Sequence, residues 1–365
     1  MPVPLFDPQT QLDPLRARIA EAVTGVLDDG RFILGPNVAA FEAEFADYLG
    51  CRHAIGVANG TEAITIALRA LGIGPGDEVI VPSFTFYASA EAIPPTGATP
   101  VFCDVDPDTF LVTPETVKAV MTPKTKAVIA VHLFGNVAPI AEITALGVPV
   151  VEDTAQAAGS TGPDGRPGTI GALATFSFYP SKNLGAFGDG GAITTNDAEL
   201  DENVRSLRFH GSRDKVTYEQ VGYNSRLDEL QAAILRVQLP ALDAWAERRN
   251  AAAGWYAEAG LGALATLPVA SPGAVPAWHL YVIRHQQPDA LQAALAEQGI
   301  EARGYYRTPV HRQEAMRSWG ANAVLPVTDE LARTHLAIPV SASITREQVQ
   351  EVVAAAAAAE LPAAG

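Results

Sequence analysis

From His53 to Glu152 short β-rich runs alternate with helical segments, and this rhythm constrains the fold more than any other feature of the chain. The runs are His53–Val57, Glu78–Pro82, Thr99–Cys103, Ala127–Val131 and Pro149–Glu152, with helices predicted near 61–71, 85–94, 114–121 and 138–145. Such alternation predicts an α/β protein with a mainly parallel sheet covered on both faces. In sheets of this kind ligands gather beyond the carboxyl ends of the strands. Two amphipathic helices, at about 13–28 and 38–49, precede the rhythm. A loop rich in Gly, Pro and Thr at 160–171 is followed by strands near 173–178 and 190–195 and a helix at about 197–208. Residues 226–258 read as helix interrupted at Pro240. Beyond Pro268 the pattern is strand (279–283), helix (288–298), strand (301–305) and helices near 326–334 and 346–359.

A length of 365 residues suggests two domains. With 41 acidic and 25 basic residues the formal charge is −16, a field that repels a nucleic-acid backbone, so no nucleic-acid partner is expected. The two cysteines, Cys51 and Cys103, lack CxxC spacing, which argues against a metal site and a disulfide framework. Residues Met1–Gln11 lack the features of a signal peptide, and no run approaches the ~18 apolar residues of a spanning helix. The expectation is a cytoplasmic protein with no membrane partner. The chain has only five lysines, Lys118, Lys124, Lys126, Lys182 and Lys215, so amine chemistry has few places to occur.

Lys182 lies in Phe176-Ser-Phe-Tyr-Pro-Ser-Lys-Asn-Leu-Gly-Ala-Phe-Gly-Asp-Gly-Gly191, a glycine-dense turn between two β runs with small and apolar flanks. Either it is a surface-turn lysine, or its amine points into a packed site where desolvation lowers its pKa and makes it nucleophilic toward a carbonyl. Asp153 ends an apolar strand in Val150-Val-Glu-Asp-Thr-Ala-Gln156. It either caps a following helix or holds a pyridinium N–H, with Gln156 available for a phenolic oxygen on the same ring. Asn59-Gly60-Thr61 opens a helix after the first strand; free N–H groups and a glycine there suit a phosphate, and an ordinary cap by Thr61 is the other reading. Phe86, at a strand-to-helix junction, is a core residue or an aromatic that stacks on a flat ring. The glycines at 72, 74 and 76 follow a helix rather than a strand, which rules against a dinucleotide loop.

At these residues the sequence resembles the DegT–StrS family of sugar aminotransferases. The resemblance runs from Gly30-Arg-Phe-Ile-Leu-Gly-Pro36 to Thr308-Pro-Val-His311. It implies the aspartate-aminotransferase-like fold, with a large pyridoxal 5'-phosphate domain over 1–241 and a smaller C-terminal α/β domain over 242–365. By position it implies Lys182 as the lysine that carries the cofactor, Asp153 as the partner of the ring nitrogen and Gln156 as the partner of its phenolic oxygen. Gly60, Thr61 and Ser177 resemble the family's phosphate contacts, and Phe86 its ring-stacking aromatic. Asn224, in Gly222-Tyr-Asn-Ser-Arg-Leu-Asp-Glu-Leu-Gln231, resembles the residue that reaches the neighbouring subunit's phosphate, which implies a homodimer with shared sites. L-glutamate is the implied donor and a nucleotide-linked keto-sugar the acceptor. Arg226 and His311 are candidates to grip that sugar nucleotide, with an interface ion pair as the other reading. The lysine loop is similar to that of members aminating C3 of a dTDP-3-keto-6-deoxyhexose; members acting at C4 usually end the loop Gly-Glu-Gly-Gly. Tyr305-Tyr306-Arg307 stands where that subgroup often has His-Tyr-Pro. A dehydratase on the same fold carries histidine in place of the lysine, and a non-catalytic cofactor-binding regulator needs an output module that the sequence does not display.

Overall fold

The computed structural model describes residues 2–359. Seven strands, β1 (His53–Val57), β2 (Glu78–Pro82), β3 (Thr99–Cys103), β4 (Thr125–Val131), β5 (Val150–Asp153), β6 (Leu173–Ser177) and β7 (Gly191–Thr195), form one sheet in the order β1-β7-β6-β5-β4-β2-β3. The block from β6 through β5, β4 and β2 to β3 is parallel, and β7 runs antiparallel between β6 and β1. The mainly parallel sheet predicted from the rhythm is therefore present. Strands buried on both faces read as continuous apolar runs. Val79, Ile80 and Val81 of β2 and Ala127 to Ala130 of β4 are accordingly closed to solvent, within a core that continues into the helix Gly60–Ala70.

The interrupted helix resolves as Glu229–Gln238, a 3-10 turn Leu239–Ala241 around Pro240, and Leu242–Glu258. Glu229 is buried; its carboxylate accepts from the N–H groups of Gly35, Asn37 and Val38 at 2.7–2.8 Å. That caps the helix Pro36–Leu49, whose Phe41 and Phe45 pack on Phe178 in a second core cluster.

A third cluster gathers around a two-stranded antiparallel sheet, β8 (Tyr281–Arg284) and β9 (His335–Ile338). The strand predicted at 301–305 reduces to a single bridge between Arg303 and Ala337, and β9 was absent from the sequence reading. The N-terminus joins this unit: Val3 is buried in its cluster and bridges Ile300. Asp104, just past β3, accepts from the N–H groups of Val327 and Thr328 and from the Thr328 hydroxyl, so a carboxylate of the large sheet caps the helix Pro326–Thr334.

Candidate active site

The carboxyl ends of the parallel strands open into a cavity of about 670 Å³. Gly60, Thr61, Phe86, Asp153, Gln156, Ser177 and Lys182 all line it. Seven of the ten residues singled out from the sequence thus share one wall system, although they are spread over more than a hundred positions of chain.

Asp153 ends β5 and is nearly closed to solvent. Its Oδ2 accepts from the Ser89 hydroxyl at 2.7 Å and its Oδ1 from the Ala155 N–H at 3.1 Å. Turns rather than a helix follow it, so its role is not that of a helix cap. Gln156 is fixed at both ends of its amide: Oε1 accepts from the Phe134 N–H at 2.7 Å, and Nε2 donates to the Tyr306 hydroxyl at 3.2 Å. Phe134 sits at φ 59°, a left-handed conformation unfavourable for a bulky residue, and the bond to Gln156 helps hold it there.

Lys182 lines this cavity and is half-buried. Burial pushes its pKa down to about 8, against the nearby Asp153 carboxylate, which favours the charged form. The neutral, nucleophilic form is therefore reached at lower pH than for an ordinary lysine. Lys182 and Asp153 lie within one another's field in one cavity.

At the phosphate-type corner the N-cap of helix Gly60–Ala70 is Asn59, not Thr61; its Oδ1 accepts from the Glu62 N–H at 2.8 Å. Gly60 and Thr61 become the first helical residues, and their N–H groups face the cavity at the positive end of the helix dipole. A Cβ at Gly60 would stand 2.7 Å from the Ser177 Cβ, so glycine alone permits this approach. Phe86 is 51% exposed on the cavity wall with its ring 5.8 Å from that of Tyr306, which sets aside the core reading. A backbone cradle at a helix N-terminus, an exposed aromatic face, a fixed carboxylate and a desolvated amine fit a flat, phosphate-bearing aldehyde such as pyridoxal 5'-phosphate.

The remaining three residues lie elsewhere. Asn224 is exposed, bridges Phe209 and does not line its own chain's cavity. Arg226 is half-buried and also off the lining. His311 is buried away from the cavity, its Nδ1 2.6 Å from the Ser83 hydroxyl and its Nε2 3.7 Å from Asp329.

Several lining residues were not among the site candidates read from the sequence, His279 and Tyr306 among them. His279 is buried with Nδ1 3.3 Å from Asn183 Oδ1, and burial together with the charges of Lys182 and Arg249 keeps its imidazole neutral. Tyr306 lies over the Gln156 amide, and burial raises its phenol pKa far above the ordinary value. The only sequence signal for either was the unusual Tyr305-Tyr306-Arg307.

The fold and this cavity define a pyridoxal-phosphate transferase of the aspartate-aminotransferase type. Residues 14–357 match the model of the DegT/DnrJ/EryC1/StrS aminotransferase family, and the chain belongs to that family. It is 45% identical to a pleiotropic regulatory protein of Geobacillus stearothermophilus (97% of each chain covered). It is 45% identical to a UDP-N-acetyl-3-dehydro-alpha-D-glucosamine 3-aminotransferase of Acidithiobacillus ferrooxidans (96% of each). It is 44% identical to a dTDP-3-amino-3,4,6-trideoxy-alpha-D-glucose transaminase of Streptomyces venezuelae (96% of this chain, 94% of the relative). The crystal structure of S. venezuelae DesV in complex with a ketimine intermediate superposes with a TM-score of 0.95 at 44% identity, covering 99% of each chain.

Proposed function

We propose that the protein transfers the amino group of L-glutamate to C3 of a nucleotide-linked keto-sugar, a dTDP-3-keto-6-deoxyhexose, using pyridoxal 5'-phosphate. The observation that carries this reading is the placement of the Lys182 amine and the Asp153 carboxylate on one cavity with the N-terminus of helix Gly60–Ala70. The bound cofactor supplies an aldehyde that accepts and releases the amino group and a ring that stores the electron pair. Lys182, whose burial lowers its pKa to about 8, would hold the cofactor through its amine and would serve as general base for the proton on the donor's α-carbon. Asp153, oriented by Ser89 and Ala155, would keep a proton on the ring nitrogen of the bound cofactor. Gln156 is placed for the ring's phenolic oxygen, Phe86 for the ring face, and Gly60, Thr61 and Ser177 for the phosphate.

Amination at C3 is supported by the loop ending Gly188-Asp189-Gly190-Gly191 and by two relatives named for 3-amino or 3-dehydro sugars. Lysine at 182 speaks against the dehydratase reading, and the full set of lining residues against a purely regulatory one. We further assign a homodimer. Phe32, Ile33, Tyr179 and Phe187 are large apolar groups at least 40% exposed, an arrangement suited to burial against a second copy. Asn224, off its own cavity, is then free to serve the partner's phosphate, and Arg226 and His311 remain candidates for the sugar nucleotide. The large domain is assigned to 1–241 and the small one to 242–365, of which 360–365 lie outside the described residues. No helix among the described residues is long and apolar enough to cross a membrane; the proposed setting is the cytoplasm.

The deciding experiment loads the purified enzyme with glutamate and offers matched 3-keto and 4-keto sugars on dTDP and on UDP. A 3-amino product is expected. Product only from the 4-keto sugars would overturn the C3 assignment, and no change in cofactor absorbance with glutamate would overturn the transaminase reading itself.

A further inference from the structure

A second cavity, of about 350 Å³, is walled by the N-terminal segment (Asp7, Gln11, Leu12), by Gln238 and Arg249, and by Lys182, which lines both spaces. Arg249 is 5% exposed. Its guanidinium is served only by neutral acceptors at long range: Nη1 donates to the carbonyls of Trp278 at 3.2 Å and Val340 at 3.3 Å, and Nη2 to Gln11 Oε1 at 3.4 Å. Its Nε is buried with no hydrogen-bond partner among the described residues. The one carboxylate on the wall, Asp7, is engaged elsewhere, Oδ1 by the Thr10 N–H and Oδ2 by the Ser343 hydroxyl. A buried charge without a counter-ion is costly, and a planar guanidinium with an idle N–H is matched best by a carboxylate. His279 lies in the fields of both Lys182 and Arg249, which places the two cations on the same small region of the interior.

We propose that this second cavity is a carboxylate site, in which Arg249 binds one carboxylate of the dicarboxylic amino donor while the donor's amine reaches the space beside Lys182. The inference rests on the transaminase reading for the donor's role, but the anion site itself is measurable without turnover. The guanidinium supplies the charge, Gln11 and Gln238 supply neutral polar walls, and Phe6, Ser181 and Lys182 line both cavities.

The test titrates glutarate, a diacid with no amino group to transfer, into the holoenzyme by calorimetry. Binding to the wild type is expected. Arg249→Lys, which keeps a charge but loses the fork, and Leu12→Trp, which fills the cavity from a half-buried wall position, should each weaken glutarate at least tenfold. Both should raise the glutamate concentration that half-converts the cofactor by a similar factor. Should Arg249→Lys fail to fold, Leu12→Trp alone decides. Absence of glutarate binding to the wild type, or unaltered binding in Leu12→Trp, overturns the proposal. Loss of the glutamate-driven absorbance change in the wild type with glutarate still bound would instead overturn the transaminase reading and leave the anion site standing.

Discussion

The Ser89 hydroxyl donates to Asp153 Oδ2 at 2.7 Å while lying 3.0 Å from the Thr85 hydroxyl, so the carboxylate proposed for the ring nitrogen is oriented from the short helix Ala88–Glu91 that follows β2. Hydrogen bonds to charged groups contribute about 1.5–3 kcal/mol. Ser89→Ala should therefore lower kcat by roughly tenfold or more, each factor of ten being about 1.4 kcal/mol, with the cofactor still bound. Asp153→Ala should abolish turnover. Single-turnover conversion of the cofactor by glutamate measures both, and a Ser89→Ala enzyme with wild-type rates would remove Ser89 from the positioning role.

The contact between Gly60 and Ser177 makes a second prediction sharper. Gly60→Ala forces its Cβ to 2.7 Å from the Ser177 Cβ, a distance that the backbone must widen. The displaced helix N-terminus should hold a phosphate at least tenfold less tightly, seen as cofactor lost on dialysis. Adding Ser177→Gly removes the colliding atom, and the double variant should recover part of the lost affinity. A single variant that keeps its cofactor as the wild type does would show that this corner does not seat the phosphate.

What could be read in advance divides by chain distance. Buried parallel strands announce themselves as apolar runs, so β1, β2 and β3 matched their predicted bounds and β5 differed by one residue at each end. Asp153 and Gln156 were legible because a polar residue ending such a run must sit at the sheet's edge. The helix predicted at 85–94 shrank to Ala88–Glu91 and a 3-10 turn, because Pro94 and Pro95 supply no N–H to continue it. β9 is four residues wedged between a helix and Pro339, too short to show alternation. His279 and Tyr306 reach the cavity from the C-terminal unit, and only tertiary packing decides that. His311 shows the opposite limit: its motif is recognisable, but spacing does not reveal which way a side chain in a 3-10 turn points, and here its Nδ1 lies against the Ser83 hydroxyl.

Asp104 joins the two units, and its loss should be read as stability rather than chemistry. Asp104→Ala strips three hydrogen bonds from the start of helix Pro326–Thr334. Loss of a helix cap costs about 0.5–2 kcal/mol. A lowered denaturation midpoint is expected with little change in the rate of cofactor conversion; an unchanged midpoint would show that the cap contributes nothing.

The titration of Lys182 has a definite sign. Its folded-state pKa lies near 8, below the ordinary 10.5, because burial penalises the ammonium. In the cofactor-free protein the unfolded chain therefore binds more protons than the folded one between those two values. Stability contributed by this group should rise with pH across that window, and below about pH 8 the full desolvation penalty is present. Lys182→Met removes the charge and should raise the melting temperature of the cofactor-free protein at pH 7, with the difference shrinking toward pH 10. Amine-selective labelling of Lys182, read by mass spectrometry, should follow a midpoint near 8. A midpoint near 10.5 would mean that water reaches the amine freely, and the general-base role assigned to it would lose its physical footing.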